Sequence, residues 1–92
     1  MNDQKIILSS LAMDLKRVAV GLHRGSQKMA ERFSEEALAR KKELNLRRVQ
    51  PYLVKLLHDM ETSLAGKDNQ KKSEDALMYS TLLQNYSQKR IS

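Results

Sequence analysis

Two histidines, a set of serines and a cluster of basic side chains are the residues with chemistry to offer, and each implies a different activity. His58 stands in the run Leu57, His58, Asp59, Met60, Glu61. On a helix Glu61 falls one turn beyond it, a spacing at which an imidazole and a carboxylate can share a divalent cation. A resident metal wants at least three protein ligands, and Asp14 or His23 could join only through tertiary folding. The pair therefore reads as ordinary polar surface, and no metal or cofactor is expected. His23 precedes Arg24 and Gly25 at the end of a helical stretch, where a cation complements the negative end of the helix dipole.

Nucleophilic chemistry fares no better. Ser9 and Ser10 lie inside a helical pattern, and Ser26, Ser34 and Ser73 read as caps or exposed helix positions. Gly21 and Gly25 lack the GxxxxGK[ST] order of a phosphate loop and the strand that should precede it. Glu35 and Glu36 are adjacent, so on a helix they point about 100° apart and do not serve one substrate as acid and base. The chain has no Cys, which removes a thiol nucleophile, a Cys-ligated metal and any disulfide. These residues predict a protein that is not an enzyme.

The basic side chains are the strongest positive feature. Arg40, Lys41, Lys42, Arg47 and Arg48 place five positive charges in nine residues against the single Glu43. Over the whole chain 17 Lys and Arg face 11 Asp and Glu, giving +6. On a continuous helix Lys41, Arg48 and Lys55 would form one line, and Arg17, Arg24, Lys28 and Arg32 a second. Such stripes can track phosphates. Against this, Glu31, Glu35, Glu36 and Glu43 interleave with them, and the segment lacks aromatics to stack on single-stranded bases. A solvated helix face is the plainer reading.

These side chains need elements to position them, and the pattern is helical throughout. Only three Gly and one Pro occur, and no stretch alternates over strand length. Leu8, Leu11, Leu15, Val18 and Leu22 recur at alternating steps of three and four, close to an a/d seam. Asp3 is a candidate N-cap for this first helix, and Gly21 and Gly25 bracket its end. Ser26 caps a second helix bearing Met29, Phe33, Ala37 and Leu38, with Glu36→Arg40 and Glu43→Arg47 as supporting (i, i+4) pairs. Leu46, Val49, Leu53, Leu56, Met60 and Leu64 form the next stripe, interrupted by Pro51. Proline restricts Gln50 and removes a donor, so a helix restarts with Pro51 in its first turn and closes at Gly66. One kinked helix over 27–65 is the alternative. Positions 66–72 read as a loop, and Ser73 followed by Glu74 and Asp75 as a helix start. That last helix carries Ala76, Tyr79, Leu82, Leu83 and Tyr86 inward.

The expectation is one all-α domain over 1–92, a bundle of about four helices at 3–23, 26–49, 51–65 and 73–90. At 92 residues with four aromatics, such a bundle buries too little apolar surface for comfort. A partner chain is the expected supplement, by homodimerisation. The assembly residues are Leu8, Leu11, Leu15, Val18 and Leu22, with Leu53, Leu56, Met60 and Leu64 opposite, and Tyr79 and Tyr86 as a further contact. No apolar run approaches a membrane span, and Met1, Asn2, Asp3 and Gln4 lack the order of a secretory leader; the expected location is cytoplasmic. The functional expectation is a helical interaction, adaptor or regulatory protein acting as a homo-oligomer. The alternative is a nucleic-acid-binding module using Arg40, Lys41, Lys42, Arg47 and Arg48.

Overall fold

The structure, a computed structural model, describes residues 4–89. Four α-helices are present, α1 Gln4–His23, α2 Gln27–Glu43, α3 Pro51–Leu64 and α4 Asn69–Lys89, with a 3-10 turn at Leu46–Arg48 between α2 and α3. No strand occurs among the described residues, so the chain forms the all-α bundle that its periodicity predicts. α1 is the middle helix. α2 packs along one side of it and α4 along the other, while α3 leans on α4 and touches α2.

The α1–α2 hairpin is built as the sequence suggests. Gly25 takes φ +76°, a left-handed conformation that glycine adopts without the cost of a Cβ. Ser26 N–H then donates to the Gly21 carbonyl at 2.7 Å and Gly25 N–H to the Leu22 carbonyl at 3.1 Å, the paired bonds of a Schellman ending. Ser26 Oγ accepts from Met29 N–H at 3.2 Å and caps α2. The returning helix runs antiparallel: Gly21 meets Ala30, Asp14 meets Arg40 and Gln4 meets Asn45. A Cβ on Gly21 would stand 3.0 Å from the Ala30 backbone nitrogen, so glycine sets how closely the hairpin can close.

Two helix boundaries differ from expectation. α2 ends at Glu43 instead of running to 49, because Leu44 turns extended and Asn45 starts a new element. Asn45 Oδ1 accepts from Arg47 N–H at 3.1 Å. The Gln4 side-chain amide meanwhile accepts from Asn45 N–H at 2.6 Å and donates to its carbonyl at 3.3 Å. The backbone groups freed by the break thus find partners on α1, as polar backbone must. α3 begins with Pro51 at its first position, where a missing N–H costs nothing. α4 begins four residues earlier than expected, at Asn69. Asp68 is its cap, its carboxylate accepting from Gln70 and Lys71 N–H at 3.1 and 3.2 Å. Asp3 and Arg90, at the outer limits of the expected first and last helices, lie outside the described residues.

The core is leucine-rich. Leu8, Leu11, Leu15 and Val18 of α1 meet Leu53, Leu57 and Met60 of α3 and Leu83 of α4, all fully or almost fully buried. The α1–α4 contact has a different composition. Ser73, Ala76, Ser80, Leu83 and Ser87 recur at steps of three and four along α4. Ser73 and Ser80 donate to the Ala19 and Ala12 carbonyls at 3.4 and 2.6 Å, and the Ser87 hydroxyl meets that of Ser9 at 3.2 Å. Small side chains let the two backbones approach, and the hydroxyls bond carbonyls that the bundle buries.

Candidate interaction site

The fold disposes of most of the chemistry-bearing residues by giving them internal work. Asp14, 1% exposed, accepts from Arg40 Nε at 2.7 Å and lies 3.7 Å from Arg17. Burial holds its carboxyl above the usual carboxylate range, with the hydrogen bond and charge of Arg40 opposing. Arg40 therefore does not pair with Glu36, as its (i, i+4) spacing suggests. A shielded carboxylate competes better than an exposed one, and Glu36 pairs with Arg32 at 3.5 Å instead. The break at Leu44 likewise puts Glu43 and Arg47 in different elements, and no ion pair joins them among the described residues.

Lys41 donates to the Glu61 carboxylate and ties α2 to α3. That bond, then the Lys41 charge, holds the Glu61 carboxyl below its usual range. Glu61 so serves a lysine, while His58, one turn before it on α3, is exposed. Among the described residues no group of three His, Asp or Glu side chains could hold a metal ion. Phe33 lies between Arg17 and Arg32, whose guanidinium carbons are 5.4 and 5.5 Å from the ring centre. Two members of the second basic line are thus spent on an aromatic face.

The leucines expected at an assembly seam are internal. Leu8, Leu11, Leu15, Val18, Leu53, Leu56, Met60 and Leu64 are buried within one chain, and Leu22, Tyr79 and Tyr86 are half-buried against the same core. Burial raises the Tyr79 hydroxyl above its usual range. The periodicity marks a core that is buried within one chain.

Of the five expected polyanion contacts, Arg40 and Lys41 are engaged as described. Lys42, Arg47 and Arg48 are exposed and form no ion pair among the described residues. The line Lys41, Arg48, Lys55 does not exist as a straight stripe, because its members sit on α2, the 3-10 turn and α3.

The 3-10 turn creates something that the sequence reading lacks. It carries Leu46 and brings Val49, just beyond it, to the outer face of α3, where Pro51, Val54, Lys55 and His58 recur at helical spacing. Together they line a broad open groove of about 580 Å³. Leu46 is 38% exposed at its wall and Tyr52 57% exposed beside it. Arg47 and Arg48 stand between Leu46 and Val49 in the chain. The inward face of α3, Leu53, Leu56, Leu57, Met60 and Leu64, is buried in the core. α3 therefore buries one face in the bundle and presents Pro51 and Val54, interleaved with Lys55 and His58, on another. The signal was present as Val54 and Pro51 lying off the Leu stripe, but one stripe over 46–64 merges the two faces.

No protein-family model matches the chain, and no curated protein or solved structure is significantly similar to it. No helix among the described residues is long and apolar enough to cross a membrane.

Proposed function

We propose that this chain is a non-enzymatic helical adaptor or regulatory protein that acts by binding another protein. The observation that carries the reading is the open apolar groove of Leu46, Val49, Pro51 and Val54, with the exposed Arg47 and Arg48 next to Leu46 and Val49 in the chain and in no ion pair among the described residues. Exposed contiguous apolar surface with a polar rim marks interaction sites. Several residues that could catalyse are otherwise engaged: Glu61 by Lys41, Asp14 by Arg40, and Ser73, Ser80 and Ser87 in the α1–α4 contact. This reading rests on the groove, and self-association through the Leu seam is not part of it. A photo-crosslinking amino acid at Tyr52 should give adducts in cells that protease removes and nuclease does not. Nuclease-sensitive adducts, or the same adducts from a crosslinker at Thr81 on α4, would sink it.

The second reading is a nucleic-acid contact, favoured by the exposed Lys42, Arg47 and Arg48, which form no ion pair among the described residues. With three side chains available instead of five, the log–log salt slope on duplex DNA would be about −2.7. A titration of labelled duplex DNA and RNA at two salt concentrations tests it. Binding that persists near physiological salt and disappears on Arg47→Ala/Arg48→Ala would place this reading first.

A further inference from the structure

We infer that the groove between the 3-10 turn and α3 receives an acidic amphipathic helix, an inference that rests on the protein-binding reading above and specifies the partner's chemistry. Two observations carry it. The first is shape. Pro51, Val54, Lys55 and His58 follow one another along a helix face, with Leu46 and Val49 forming the opposite wall. A groove walled by a helix on one side and a short turn on the other suits a second helix that lays apolar anchors at i, i+3, i+4 and i+7 into it.

The second is charge. Positions 40–58 carry six Lys and Arg against one Glu, a surplus of five out of the net +6 of the chain. Arg40 and Lys41 are neutralised by Asp14 and Glu61, and Lys55 pairs with Asp59 at 3.0 Å. Arg47 and Arg48, which lie between the lining residues Leu46 and Val49 in the chain and are exposed, have no such partner among the described residues. An apolar surface next to such arginines matches a helix with leucines on one face and glutamates along its margins. Complementary charge at such a rim sets partner choice and encounter rate more than the depth of binding. A duplex matches it less well. Phosphates would meet the arginines, but nothing in a sugar–phosphate backbone would cover Leu46, Val49 and Val54.

The test is fluorescence anisotropy with a labelled peptide of about 18 residues, five helical turns. One version has leucines at i, i+3, i+4 and i+7 with glutamate on both margins; the other has lysine in place of every glutamate. The full chain should bind the glutamate peptide saturably and the lysine peptide far more weakly. Arg47→Glu/Arg48→Glu should weaken the glutamate peptide by about tenfold or more and strengthen the lysine peptide, since rim charges act through complementarity. Both side chains are exposed, and an unchanged circular-dichroism spectrum and melt verify the fold of the variant. Val54→Asp, which places a carboxylate on the groove floor, should weaken both peptides. No saturable binding of the glutamate peptide up to millimolar concentration overturns the inference. So does binding indifferent to the charge exchange, or displacement of the peptide by duplex DNA at physiological salt. If the peptide fails while Tyr52 crosslinks remain protein-borne, the partner's chemistry is wrong and the protein-binding reading survives; nuclease-sensitive crosslinks remove both.

Discussion

Asp14 and Glu61 are both carboxylates in ion pairs, yet burial gives them opposite roles in stability. Asp14 is shielded, and the loss of water raises its carboxyl above the reference 3.8 despite Arg40. A carboxyl raised by folding contributes most below its unfolded value, and that contribution is lost as pH rises through the folded value. Glu61 is half-exposed and held below the reference 4.5 by Lys41. Its contribution is full above that value and disappears as pH falls through the folded one. Acidification therefore gains from Asp14 while it loses from Glu61. Asp14→Asn removes the compensating gain, so urea denaturation from pH 7 to pH 3 should show the variant losing stability more steeply than the parent chain. An unchanged slope would mean that Arg40 cancels the effect of burial, and a shallower one that it outweighs it. Arg40→Ala strands the buried carboxylate, with only Arg17 at 3.7 Å to offset it. That variant should cost about 3 kcal/mol at pH 7, the lower end of the range for breaking a buried pair, and the deficit should shrink as Asp14 protonates.

At the scale of helices, spacing was informative where apolar side chains dominate and silent where small or polar ones do the packing. The Leu8 to Leu22 stripe, the Ser26 cap and the Pro51 restart were legible because each rests on a local rule. α2 stopping at Glu43 was not. That stop depends on Gln4, forty-one residues away, offering its amide to Asn45. The groove follows from the same break, which is why no single-helix reading of 26–49 contains it. The early start of α4 was visible in Asp68, an ordinary capping residue, but Ser73 with its following acids competed for the same role. Ser80 and Ser87 went unnoticed because hydroxyls carry no weight in a hydrophobic periodicity.

Gly21→Ala tests the hairpin spacing. Alanine gains about 1 kcal/mol of helix propensity, while a methyl pressed against the Ala30 backbone costs about 1–3 kcal/mol because backbone gives less than a side chain. The clash should win, lowering the melting temperature; a rise would show that α1 and α2 can part without loss. Ser80→Ala removes one buried hydrogen bond at no cost in volume and should cost about 1 kcal/mol by urea denaturation. Ser80→Leu, which must push α4 off α1, should cost more.

Over the whole molecule, the small size that suggests a partner chain stands beside a core already buried in one chain. Leu11, Leu15, Leu53, Leu57, Met60 and Leu83 reach full burial within one chain, with α1 apolar enough to serve neighbours on both sides. Folding that needs no second copy has a melting temperature independent of protein concentration. A hundredfold dilution should therefore leave the thermal transition in place; a fall on dilution would show that association contributes to the fold. Leu15→Asp should unfold the chain outright, since it buries an unpaired charge at the centre of α1, and circular dichroism would register the loss of helix.

The three serines of α4 also act as a vernier. Helices joined by leucine alone can slide by a turn and exchange one greasy contact for another. Here Ser73, Ser80 and Ser87 are spaced by seven, and each meets a particular oxygen of α1: the Ala19 carbonyl, the Ala12 carbonyl and the Ser9 hydroxyl. A slip of one turn would misalign all three together, and the Ser80 hydroxyl left dry in the interior is costly. The α1–α4 seam is thus held against translation as well as against separation, so that α4 has one longitudinal position and α3, leaning on it, inherits that position.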